Sequence, residues 1–208
     1  IELGKQFLQQ VEPFVYRRYL DFTAIEEIQG LKQRLERART STRAPFNLKY
    51  MMGGIREIEF FVQALQLIYG GKFPVLRESN TLRTLEQLET TGIIRGEDHQ
   101  CLREAYITWR TLEHRVQMVH NEQTHSLPEA PGDLQRLAKA MGYLGAHPEE
   151  TLRADLTQRA AAVREISKRL FSRPSVAVSG EMGDFLELLG DEDTKERVVE
   201  KLEGWGFR

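Results

Sequence analysis

Apolar residues recur at spacings of three and four along almost the whole chain, the period of helices with one buried face. The two-residue alternation of strands is nearly absent. The pattern predicts a first helical stretch from Leu3 to about Leu20, interrupted at Pro13 and running into the aromatic segment Phe14 to Phe22. Thr23, with Glu26 three residues on, reads as the capping box of a second helix to about Arg39. Periodicity fails from Thr40 to Met52. Gly53-Gly54 then opens a helix from Ile55 to about Tyr69 that is apolar on nearly every side, a segment suited to the middle of a bundle. Gly70-Gly71 ends it, Pro74 marks a loop, and Ser79 or Asn80 caps a short helix carrying Leu82, Leu85 and Leu88 that closes at Gly92. The longest pattern runs from about Glu97 to Asn121, with Leu102, Tyr106, Trp109, Leu112, Val116 and Val119 on one stripe. After a loop with Pro128 and Pro131, Asp133 is expected to cap a helix to about Met141, and Pro148 to start another reaching Phe171.

These elements predict an all-α fold, a bundle of about seven helices over residues 1–173. Residues 174–208 are expected to be a linker and the start of a neighbouring helical region, with two short helices split near Gly190. The chain has 208 residues, long enough to bury a substantial core. It starts at Ile1 rather than Met and shows no signal-peptide pattern, so it reads as part of a longer protein.

Charge narrows the partners. Lys and Arg number 29 against 31 Asp and Glu, mixed on the same helices, so the basic excess or stripe of a nucleic-acid module is missing. No apolar run approaches membrane-span length. The single cysteine, Cys101, excludes an internal disulfide framework or a thiolate zinc cluster and fits a reducing cytoplasm, the expected location. Neither H-E-x-x-H nor G-x-S-x-G occurs, and His114 and His120, six apart, do not share a helix face. Asp191-Glu192-Asp193 reads as the acidic start of a helix rather than a Mg²⁺ site. No catalytic or metal-ligating residue is assigned.

Two segments carry possible binding chemistry. In Leu48 to Phe61, two glycines precede a helix, so open backbone N–H groups and the helix dipole would favour a phosphate beside Lys49 and Arg56. The same residues also read as a tight turn entering a buried helix, with Lys49 and Arg56 solvated. Glu59 shares the stripe of Ile55, Ile58 and Val62, where a carboxylate needs a partner. Arg110, His114 and Gln117, at steps of four and three, offer candidates on the long helix, though such a stripe also reads as a solvated face.

The segment Gly53-Gly54-Ile55-Arg56-Glu57-Ile58-Glu59-Phe60 resembles the K-x-G-x-G-G-I-R-E-I-E-F segment of the glutamine synthetase adenylyltransferase family. Pro13 to Asp21 is similar to that family's entry into the region. Glu113 to Met118 and Glu122 to Pro128 resemble its E-H-R-L-Q-M and E-Q-T-H-x-L-P blocks. The likeness covers roughly residues 10 to 173, with Met51 in place of the first glycine of the pattern. It implies a helical accessory domain of the N-terminal, AMP-removing half, where inorganic phosphate releases ADP from an adenylylated tyrosine of glutamine synthetase. It further implies Mg²⁺ on carboxylates of a palm domain expected to precede Ile1, ATP, ADP and phosphate as substrates of the whole enzyme, and a fragment inactive alone. The implied partners are glutamine synthetase, a nitrogen-regulatory signal protein and the chain's own palm domain. Lys49, Gly53, Gly54 and Arg56 would then face nucleotide or phosphate, with Glu57 or Glu59 fixing the arginine and Arg110, His114, Arg115 and Gln117 forming the facing wall. Two rivals are the related signal-protein uridylyltransferase, whose motif resembles G-G-L-R-D-I, and a non-catalytic helical adaptor.

Overall fold

The computed structural model describes residues 2–17, 28, 30–32, 34, 46–120 and 124–172. Among them six α-helices have described bounds: α1 (Glu2–Val15), α2 (Ile55–Tyr69), α3 (Thr81–Thr90), α4 (Gly96–His120), α5 (Pro131–Ala140) and α6 (Pro148–Ser172). A 3₁₀ turn, Pro74–Leu76, lies between α2 and α3, and helical residues at 28, 30–32 and 34 belong to a seventh helix whose bounds lie outside the described residues. The only strand-type pairing among them is a bridge between Asn47 and Ser126. The fold is the all-α bundle that the periodicity predicts. Compact units span 1–168 and 169–208, and of the second only 169–172 are described. The expected linker and terminal helices therefore lie outside the described residues.

α2 is central because its apolar positions wrap around it. Ile55, Ile58, Phe61, Val62, Ala64 and Leu65 are all buried. It packs against α3 and α4, which also pack on each other. Trp109, Leu102, Leu112 and Val116 of the α4 stripe are buried and Tyr106 is half-buried. Burying such side chains yields about 1.5–3 kcal/mol each relative to exposure, which is why this three-helix centre carries the fold.

Local signals set the helix ends. Asn80 is the cap of α3, its Oδ1 accepting from the N–H of Leu82 at 3.0 Å and of Arg83 at 3.1 Å. Gly70 follows α2 in right-handed conformation, so its smallness matters instead: a Cβ there would meet the Tyr16 ring at 2.6 Å. The expectation for α5 is corrected. Ala130 precedes the helix without a side-chain cap, Pro131 takes the first position because it has no N–H to leave unsatisfied, and Asp133 sits in the first turn bonded to Arg136. α1 ends at Val15, two residues after Pro13, rather than near Leu20. Arg77 ties it to the bundle, bonding Glu12 at 2.7 Å and the Gly70 carbonyl at 2.8 Å while lying over the Tyr16 ring.

α6 is fastened by two contacts. Ala160 abuts Gly53, where a Cβ would lie 2.1 Å from the Ala160 carbonyl oxygen. Farther along, Tyr143 donates to Asp155 at 2.6 Å, Asp155 also accepts from Arg159 at 2.8 Å, and Arg159 reaches Glu104 of α4 at 3.6 Å. Burial, then the bond to the Asp155 carboxylate, pushes the Tyr143 hydroxyl up to about 12.

Two outcomes follow. Gly53 and Gly92 both have positive φ, 75° and 72°, but only Gly53 has a neighbour in the way. Gly92→Ala should cost about 1 kcal/mol of left-handed strain, and Gly53→Ala clearly more, in denaturant titrations. Equal losses would show that α6 does not press on this turn. For Tyr143 the folded value lies above the unfolded one, so its contribution is fully present below pH 10 and is lost as pH rises towards about 12. The stability difference between wild type and Tyr143→Phe should therefore shrink over that interval, as read from melting temperatures across pH.

Candidate functional site

Most of the residues singled out from sequence fall into two groups around the start of α2, and His114, Arg115 and Gln117 lie in neither. The first is the turn from Phe46 to Gly54. Asn47 organises it, its side-chain oxygen accepting from the N–H groups of Lys49 at 3.2 Å and Tyr50 at 3.1 Å. Leu48, fully buried, receives a backbone bond from Ile55 at 3.1 Å and gives one to His125 at 2.8 Å, while Leu127 donates to Phe46 at 3.1 Å. The segment before α2 is thus stitched to the loop after α4.

The two glycines are buried and their N–H groups are engaged within the chain. Gly53 donates to Glu57 Oε2 at 2.8 Å and Gly54 to the Met51 carbonyl at 3.0 Å. Glu57, only 6% exposed, is the third residue of α2 and reaches back past the N-cap Gly54 to the Gly53 N–H, setting a carboxylate at the positive helix end. The two N–H groups that the sequence offered to an anion are therefore occupied within the chain. Lys49 and Arg56 are half-buried and flank the Tyr50 ring, with Lys49 Nζ 5.9 Å and Arg56 Cζ 5.2 Å from its centre. Glu57 fixes the turn.

The second group joins α2 to α4. Arg110 Nη2 donates to Glu59 Oε1 at 2.5 Å, Nη1 to Glu113 Oε2 at 2.8 Å and Nε to the Tyr106 hydroxyl at 3.2 Å, while that hydroxyl donates to Glu59 at 3.0 Å. Glu113 is 4% exposed, and its other oxygen lies 2.8 Å from His125 Nδ1, a close contact that is not aligned as a hydrogen bond. Burial opposes the Arg110 charge, but the bonds to Tyr106 and Glu113 and the nearby Glu59 carboxylate more than offset it, so the guanidinium is held charged.

Arg110 is the partner that Glu59 needed. His114 is exposed and Gln117 half-buried, and neither joins Arg110 in the lattice. Arg115 instead lines a cleft of about 320 Å³ with Met118, Asp133, Arg136, Leu137 and Ala140. Glu113 and His125 are participants that periodicity did not single out, and Tyr106, read from periodicity as part of the apolar stripe, takes part through its hydroxyl. Glu113 and His125 sit within the motif blocks quoted for the family resemblance, which was the available signal. The described residues include no group of three His, Cys, Asp or Glu side chains placed to hold a metal ion, so they do not fit a Mg²⁺ site.

These features define an all-α helical bundle whose α2–α4 seam is locked by internal ion pairs. The chain belongs to the family described as GlnD PII-uridylyltransferase, whose profile matches residues 24–171. Its relatives include proteins named bifunctional glutamine synthetase adenylyltransferase/adenylyl-removing enzyme. That of Xanthomonas axonopodis pv. citri is 40% identical over 93% of this chain and 20% of its own length. That of Stenotrophomonas maltophilia (strain R551-3) is 46% identical over 75% of this chain and 16% of its own length, and that of Rhizobium meliloti 44% over 69% and 15%. The chain spans about a fifth or less of the length of these relatives. The resemblance drawn from the motif blocks is borne out.

Removing Arg110 leaves a buried carboxylate without its cation. Arg110→Leu should destabilise the chain by roughly 2 kcal/mol, below the 3–5 kcal/mol of fully buried pairs because Arg110 is itself partly solvated. His114→Ala, one turn away on the exposed side, should stay within about 0.5 kcal/mol. Chemical denaturation of both variants measures the contrast; equal effects would dissolve the lattice as a structural unit.

Proposed function

We propose that this chain is the helical domain of the AMP-removing half of an enzyme that controls glutamine synthetase by adenylylation. The carrying observation is the 40–46% identity to relatives bearing that two-activity name, together with the Arg-Glu-Ile-Glu-Phe form at Arg56 to Phe60. In this reading inorganic phosphate attacks the adenylyl phosphorus on a tyrosine of glutamine synthetase, the bond to the tyrosine oxygen breaks, and ADP and the free hydroxyl are released. Such a transfer depends on positioning and charge neutralisation more than on covalent help. The catalytic carboxylates and Mg²⁺ belong to a palm domain of the same protein, so this chain alone is inactive. Its contribution is one wall of the site: Lys49 and Arg56 toward phosphate oxygens, with His114, Arg115 and Gln117 on the solvent side of α4. Arg110 and Glu59 keep that wall rigid.

The partners in this reading are glutamine synthetase, a nitrogen-regulatory signal protein and the palm domain, in the cytoplasm, with ATP and ADP serving the whole enzyme. The signal-protein uridylyltransferase is the second reading, favoured by the family description matching residues 24–171. The names of the relatives at 40–46% identity and the motif at Gly53 to Phe60 weigh against it.

The test uses the full-length protein that carries this chain. Arg56→Ala is expected to slow AMP removal from adenylylated glutamine synthetase by about tenfold or more, with His114→Ala measured beside it. An unchanged rate in both variants, or transfer of UMP to a signal protein instead, would overturn the reading.

A further inference from the structure

Arg153 of α6 was not singled out by any motif, yet it lies at the same end of the bundle as Lys49 and Arg56. Its Cζ sits 5.1 Å from the centre of the Phe46 ring, and Phe46 and Tyr50 bound the same turn. α6 passes that turn closely enough for Ala160 to touch Gly53. Three half-buried cations thus rest on two rings four residues apart in the same turn: Lys49 and Arg56 on Tyr50, Arg153 on Phe46.

What sets them apart from exposed cations such as Arg103 is the ring beneath each, not the lack of a carboxylate. Arg77, Arg110, Arg136 and Arg159 each hold a carboxylate. Lys49, Arg56 and Arg153 hold none among the described residues, and the carboxylate adjacent to Arg56 in the chain, Glu57, is turned inward to the Gly53 N–H. A ring beneath a guanidinium supports its flat face and leaves the in-plane N–H edge free, the edge that grips an oxyanion with two parallel bonds.

We propose that Arg153 joins Lys49 and Arg56 in a binding surface for a phosphate group, on inorganic phosphate or on a nucleotide. The roles of Lys49 and Arg56 rest on the function proposed above, whereas the place of Arg153 rests on the ring contacts and the passage of α6. The two arginines supply directional bonds from separate elements, and Lys49 adds a mobile point charge. The surface is held by the Asn47 turn on one side and the Gly53 contact with α6 on the other, so its cations are spaced by the fold and not by the ligand.

The test is a titration of the 208-residue chain at low ionic strength, first with inorganic phosphate and separately with AMP, following arginine and lysine side-chain signals by NMR. Signals of Lys49, Arg56 and Arg153 are expected to follow one saturating curve. Response to inorganic phosphate identifies the free ion as the ligand, and response to AMP alone identifies the nucleotide phosphate; either supports the surface. Arg153→Gln should weaken that binding about fivefold to tenfold at an unchanged melting temperature, and Arg103→Gln, an exposed cation on α4, should leave it as in wild type. The proposal is overturned if neither probe moves Arg153, if Arg103 follows the same curve, or if Arg153→Gln binds like wild type. Loss of activity in Arg56→Ala with wild-type binding in Arg153→Gln would sink this inference and spare the proposed function. A responsive Arg153 with full activity in both Arg56→Ala and His114→Ala would do the reverse.

Discussion

One hydrogen bond organises the polar end of this domain: the Glu57 carboxylate accepting from the Gly53 N–H at 2.8 Å. A carboxylate that is 6% exposed is costly to bury, and it is tolerated because it caps the positive end of α2 and holds the turn before it. With that turn fixed, Gly53 can press against the Ala160 backbone, Leu48 can seat in the core, and the chain from Phe46 to Leu48 can pair with His125 to Leu127. Three elements distant in sequence meet there. The side chains left facing outward, Lys49, Arg56 and Arg153, inherit their spacing from this joint.

A second constraint runs through Arg110. It satisfies Glu59 on α2 and the buried Glu113 on its own helix, and Glu113 in turn meets His125 in the loop that pairs with the segment before α2. The lattice therefore braces the same joint from the opposite side. Two carboxylates share the Arg110 charge, so the guanidinium is committed to structure, and the phosphate surface proposed above draws instead on the cations of the aromatic turn and α6. That division of labour separates a scaffold from a surface.

Much of the architecture was legible from local pattern. The helix from Ile55 to Tyr69 announced itself by all-round apolarity between glycine pairs, and α4 by its long stripe. Pro131 outranked Asp133 as the start of α5, because a residue without an N–H suits the first turn better than a cap that comes two residues late. The candidate site was legible only in part. The stripe of Ile55, Ile58 and Val62 pointed to Glu59 as the buried carboxylate, whereas α2 is covered so widely that Glu57 is the buried one and Glu59 lies at the seam with α4. Glu59 still found its cation in Arg110. Arg153 was invisible, since its ring partner Phe46 is remote along the chain and no local period connects them.

The central claim is that the glycine turn is a closed joint and not an open anion cradle, and amide hydrogen exchange of the native chain addresses it most directly. The Gly53 and Leu48 amides should exchange as slowly as the interior amides of α2, and adding phosphate should leave Gly53 unchanged. A Gly53 amide that exchanges at the rate of an open loop and becomes protected when phosphate is added would contradict the account, returning the anion to the backbone and reducing Glu57 to a bystander.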